Sequence, residues 1–178
     1  MTAIISDEYF MKQALLEAEI AFDKGEIPIG AVIVCEGRII ARAHNLTETL
    51  NDVTAHAEMQ AITAAAFILG GKYLIDCTLY VTVEPCPMCA GALYWAQIGR
   101  IVYGAIDEKR GYSKLSPGAL HPKTKVQSGV MAEEATKLMK RFFKGLREGY
   151  SVNDEKTVAR VNPFGSFLIY PVLIIHQG

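Results

Sequence analysis

Apolar residues recur at Phe10, Ala14, Ala18, Ala21 and Phe22, one face of a 3.6-residue period. With Ser6 as a candidate N-cap and Gly25 as a stop, this spacing predicts a helix. The period then changes. Residues 29–35 and 38–43 are short β-prone runs separated by Glu36-Gly37, which predicts a hairpin. Residues 45–52 are polar and read as a loop. Thr54 is a candidate N-cap for the alanine-rich run 55–69, closed by Gly70-Gly71. Residues 79–83 have strand character. Cys86-Pro87 then reads as the start of a helix ending near Gln97, because proline is tolerated at the first helical position. A further strand pattern spans 100–105, a long loop 106–122, and a basic amphipathic helix 131–147.

This order of helix, hairpin, helix, strand, helix, strand, loop and helix predicts an α/β protein, a mixed sheet with helices on both faces. A chain of 178 residues, 51% apolar and 21% charged, suits one core, expected over 1–148. From Gly149 the composition shifts. Residues 149–178 form a C-terminal extension without an assigned role; their apolar run 167–175 is interrupted by Pro171 and too short to span a bilayer. Residues 1–7 lack the basic start and apolar stretch of an export signal, so a cytoplasmic location without membrane association is expected. In that setting the four cysteines read as reduced thiols or metal ligands, with Cys35 and Cys77 as packing thiols beside apolar runs.

The net charge of −1 hides a division along the chain. Residues 1–99 hold 5 Lys and Arg against 12 Asp and Glu, whereas 100–147 hold 11 against 4. The second segment is either a solvated helix and loop or a face for a polyanion.

The candidate chemistry lies in His56-Ala57-Glu58 and, thirty residues later, Pro85-Cys86-Pro87-Met88-Cys89. Cys86 and Cys89, three apart at a helix start, can grip one ion, and a helix N-terminus favours thiolate. A CxxC after a strand also suits a thiol redox site, which needs no metal. His56 adds a third zinc-type donor. Three protein ligands leave a position for a reacting water, whereas a structural zinc site closes its shell with four.

The HxE…PCxxC arrangement matches the zinc deaminase signature. The stretches 54–62 and 79–92, together with Val102-Tyr103-Gly104-Ala105 and Asp107, closely resemble the bacterial tRNA-specific adenosine deaminases, over about residues 7–147. The resemblance implies a cytidine-deaminase-like three-layer α/β/α fold with a central mixed sheet of about five strands. It implies one Zn2+ per chain on His56, Cys86 and Cys89, with Glu58 as the catalytic proton shuttle and Asn45 as a contact to the base. The implied reaction is hydrolytic conversion of adenosine to inosine at the wobble position of a tRNA anticodon stem-loop, usually by a homodimer. Asp107 is expected to border the substrate, and the basic segment to face RNA. Val53 stands where that family commonly has proline. The rival readings are a zinc deaminase of a free base such as guanine or cytosine, a thiol redox protein, and a zinc module without turnover.

Overall fold

In the computed structural model, residues 6–148 are described; the extension expected at 149–178 lies outside them. Helix α1 (Asp7–Asp23) begins at Ser6, whose hydroxyl accepts the Tyr9 amide hydrogen at 3.4 Å. Strands β1 (Gly30–Cys35) and β2 (Arg38–His44) form the expected hairpin. Glu36 and Gly37 both take positive φ, as a two-residue turn of this hand requires. Then follow α2 (Thr47–Leu50), α3 (Ala57–Leu69), β3 (Cys77–Val83), α4 (Pro87–Trp95), β4 (Arg100–Ala105), α5 (Tyr112–Leu115), β5 (Lys125–Ser128) and α6 (Ala132–Arg147).

The sheet runs β2-β1-β3-β4-β5. β1 is antiparallel to β2 and β3, while β3, β4 and β5 are parallel. Alternate side chains sort the core into two layers. Ala31, Ile33, Leu79, Val81, Ile101 and Tyr103 pack with α3 and α4, whereas Val32, Val34, Tyr80 and Val102 pack with α1. α6 covers the α1 side of β4. The three-layer mixed sheet implied by the family resemblance is therefore present.

Small residues bring the helices close. Ala57, Ala61 and Ala65 repeat at four-residue spacing and are fully buried, as are Ala14, Ala18 and Ala21. A Cβ on Gly30 would sit 2.1 Å from the Ala14 carbonyl oxygen, so α1 packs directly on the β1 backbone.

Four expectations change. The loop at 45–52 contains α2, and the loop at 106–122 contains α5. An edge strand, β5, is added whose side chains are all exposed. Thr54 does not cap α3: its amide and hydroxyl both donate to Asp52 Oδ1, at 2.8 and 2.7 Å, and His56 is the N-cap.

Candidate metal centre and active site

The N-termini of α3 and α4 meet beyond the C-terminal ends of β2, β3 and β4, where open α/β sheets place ligands. His56 and Cys86 are the two N-cap residues, both extended, and neither side chain caps its own helix. Instead they turn toward one point. His56 Nδ1 lies 3.7 Å from Cys86 Sγ and 3.5 Å from Cys89 Sγ, and the three donor atoms all fall within 4.8 Å of one another.

Zinc–sulfur bonds of about 2.3 Å and zinc–nitrogen bonds of about 2.0 Å at tetrahedral angles hold N and S about 3.6 Å apart. The observed spacings fit that requirement. One imidazole and two thiols also form a donor set suited to zinc, and three ligands leave one tetrahedral position for a small molecule.

Glu58 lies in the first turn of α3, buried at 3% exposure, its carboxyl beside the Cys89 thiol. It borders a cavity of about 740 Å³ that His56, Cys86 and Asn45 also line. Ile27, Ile29 and Val83 give that cavity an apolar lining, and Asp107, Lys109, Arg110, Lys140 and Arg147 ring it with charge. The fold thus brings His56, Glu58, Cys86, Asn45 and Asp107 to one cavity and sets the fully buried Cys89 beside His56.

The cytidine and deoxycytidylate deaminase zinc-binding region matches residues 4–105, more than half of the chain. The chain belongs to the cytidine and deoxycytidylate deaminase family. Within it, this deaminase is 48% identical over 145 residues to the tRNA-specific adenosine deaminase of Aquifex aeolicus, covering 79% of this chain and 95% of that protein. Its fold matches a structure from a study of A-to-I editing by tRNA:A34 deaminases at the wobble position of transfer RNA. The TM-score is 0.69 at 45% identity, covering 73% of this chain and 98% of the other. A guanine deaminase from Bacillus subtilis also aligns, with a TM-score of 0.55 and 47% identity, over 57% of this chain and 66% of that one.

Electrostatics in this deaminase separate the two thiols. A hydrogen bond with the Cys89 thiol, aided by His56, pulls Cys86 down to about 4. The hydrogen bond with Cys86, together with burial, pushes Cys89 far up. Its contact with Cys86 raises His56 above the usual histidine value. Burial raises Glu58 to about 7, into the range where a carboxyl both takes and returns a proton at neutral pH. Cys35 and Cys77 oppose one another across β1 and β3, and burial together with Cys35 pushes the Cys77 thiol up to about 12, as suits an inert packing pair.

Two buried carboxylates at this site went unassigned from the sequence. Glu26, fully buried, accepts from Asn45 Nδ2 at 3.1 Å, Thr47 Oγ1 at 3.3 Å, and the amides of Glu48 and Thr49 at 3.1 and 2.6 Å. Burial alone would raise its carboxyl, but these donors hold it below the usual value. Asn45 also donates to Thr47 Oγ1 at 3.0 Å, so both amide hydrogens are engaged and its carbonyl oxygen is the group left for a ligand. Glu84, 4% exposed and lining the cavity, is the second. The only sequence signal was an acidic residue bordering an apolar run in each case, Glu26 before Ile27 and Glu84 after Val83.

Proposed function

We propose that this chain hydrolyses adenosine to inosine and ammonia at the wobble position of a tRNA anticodon. The observation that carries the reading is one buried carboxyl, Glu58, beside a His-Cys-Cys donor set at the floor of a cavity ringed by basic side chains. Relatives at this identity over most of the chain are named tRNA-specific adenosine deaminases, and that supports the choice of substrate.

His56, Cys86 and Cys89 would hold zinc, which when bound would supply the Lewis acidity that makes water a nucleophile near neutral pH. The proton work belongs to Glu58. It accepts a proton from water as the oxygen adds to the amine-bearing carbon and passes it to the ring nitrogen, then takes the proton of the new hydroxyl and gives it to the amino group, which leaves as ammonia. Asn45, held by Glu26, orients the base, and Ile27, Ile29 and Val83 exclude water from its faces. Such a base must leave its stack to reach the floor. Lys109, Arg110, Lys140 and Arg147 then meet the phosphates around it, giving affinity and register while the floor selects the base.

The same reading includes a homodimer acting in the cytoplasm. Phe67 and Trp95 stand 84% and 77% exposed on the adjacent helices α3 and α4, with Ile68 beside them, an apolar surface suited to a second copy. No helix among the described residues is long and apolar enough to cross a membrane.

The test is purified protein incubated with an anticodon stem-loop carrying adenosine at the wobble position, read by inosine formation, with free guanine in parallel. Inosine without guanine turnover is the expected result. Rapid guanine turnover with no inosine would transfer the assignment to the free-base deaminases, whose member from Bacillus subtilis shares part of this fold.

A further inference from the structure

Glu84 is a carboxylate that the chemistry above does not use. It ends the run from β3 toward the metal-ligand turn, two residues before Cys86, and is 4% exposed. Its backbone amide donates to the Ala105 carbonyl at 2.8 Å, fixing it against the end of β4. The carboxylate itself reaches across the loop that follows β4. Oε2 accepts the Asp107 amide hydrogen at 3.1 Å, and Oε1 accepts the Ser113 amide hydrogen at 3.0 Å.

One carboxylate therefore holds both ends of a seven-residue loop, 107–113. Other bonds draw the same loop tight. The Gly111 amide donates to the Asp107 carbonyl at 2.9 Å, and the Tyr112 amide to the Pro85 carbonyl at 2.9 Å. Asp107 Oδ1 accepts the amides of Lys109 and Arg110 at 3.0 and 2.9 Å. Gly111 shows how closely the loop is seated: a Cβ there would lie 2.4 Å from the Glu84 carboxylate. Its φ of −60° suits any residue, so close approach and not backbone conformation calls for glycine at this position. Lys109 and Arg110, the basic residues of this loop at the cavity rim, stand between the two anchored ends.

We propose that Glu84 is a positioning residue for RNA binding, which fixes the loop carrying Lys109 and Arg110 to the turn that carries Cys86. The inference rests on the function proposed above. An ionised carboxylate suits this task because it offers two acceptors at a fixed separation and no donor. Glu84→Gln keeps the volume but turns an amino group toward one of the two amide hydrogens, leaving that end of the loop unheld. Losing a hydrogen bond to a buried charge corresponds to about a tenfold change in an equilibrium.

The test measures zinc content, KM and kcat on the anticodon stem-loop for Glu84→Gln, with Lys109→Ala/Arg110→Ala made in both backgrounds. Expected are unchanged zinc, a KM raised about tenfold with kcat within about twofold, and little further loss from the double substitution once Glu84 is replaced. A wild-type KM, a loss confined to kcat, or effects that simply multiply would each overturn the proposal. Should Glu84→Gln fail to fold, Gly111→Ala disturbs the same contact from the loop side; its expected signature is the same rise in KM, and a folded Gly111→Ala protein with wild-type KM would overturn the proposal. Amide exchange at Asp107 and Ser113 separates this inference from the function it rests on. Faster exchange in Glu84→Gln is expected whatever the substrate, and unchanged exchange overturns the anchoring role, whereas absence of inosine from the parent protein overturns the functional reading.

Discussion

The floor and the rim of the cavity are built on opposite terms. The floor consists of two helix N-termini held against the sheet by buried alanines, and its proposed working residues are Glu58 and Cys89, at 3% and 0% exposure, with half-buried His56 and Cys86. The rim is made by the loop after β4 and by α6, whose basic side chains face outward. Desolvation shifts proton affinities on the floor, as Glu58 near 7 illustrates. At the rim, charge remains solvated and acts through phosphate attraction, which salt weakens. Chemistry needs the first environment and RNA recognition needs the second, so substitutions in the two regions should fail in different ways.

The largest difference is expected from Cys89→Ala. Removing one of three donors should abolish zinc binding and, with it, inosine formation. Metal analysis and the stem-loop assay check both, and full zinc occupancy in this variant would show that Cys89 is not a ligand. Next comes Glu26→Gln, which places an amino group among donors and frees Asn45 to rotate. A loss of about tenfold in kcat/KM is expected, with about 1–3 kcal/mol of stability from the unsatisfied donors. Kinetics and denaturant titration measure the two parts separately.

A smaller effect is expected at the rim. Lys140→Ala/Arg147→Ala should weaken stem-loop binding several-fold while leaving kcat near wild type. The slope of log affinity against log salt should become shallower by about 1 to 2. An unchanged slope would separate these residues from the phosphates.

The smallest effect should come from outside the cavity. Asp7 receives both Arg100 Nη1 and Nη2 at 2.7 Å, joining α1 to β4, and this hydrogen bonding holds its carboxyl below the usual 3.8. A depressed carboxyl stabilises the fold fully above the unfolded value and loses that contribution as pH falls through the folded one. Asp7→Asn should therefore cost about 1 kcal/mol or less near neutrality, leave activity intact, and start to converge on wild-type stability only as the pH falls below 3.8, meeting it once the pH has passed through the lower folded value. Thermal melts of both proteins across pH 2–7 would reveal the convergence.

What the sequence made legible follows from the range of the forces involved. α1, the β1–β2 hairpin, β3, β4 and α6 carry their own periodicity and local caps, so pattern alone located them. α2 and α5 were missed for a shared reason. Glu26 captures the amides of Glu48 and Thr49 from more than twenty residues away, and Glu84 captures Ser113 from twenty-nine residues away. No local signal announces a helical turn whose amides are satisfied at such distances. β5 was missed because Lys125, Val126, Gln127 and Ser128 are all exposed and carry no buried alternation. The candidate site was legible at His56, Glu58, Cys86 and Cys89 because donor type and spacing mark them. Thr54 misled because its hydroxyl turns back to Asp52, which leaves the extended N-cap position to His56. The supporting carboxylates are recognisable only once the chain has folded around them.

The division of labour on the floor is the central claim: His56, Cys86 and Cys89 hold the metal, while Glu58 moves protons. Its most direct test is Glu58→Ala, purified beside the parent protein, with zinc content and inosine formation measured on the same samples. The account predicts zinc at the parent level and a rate lower by about a thousandfold or more. Inosine formed at the parent rate, or zinc lost along with the carboxyl, would contradict it.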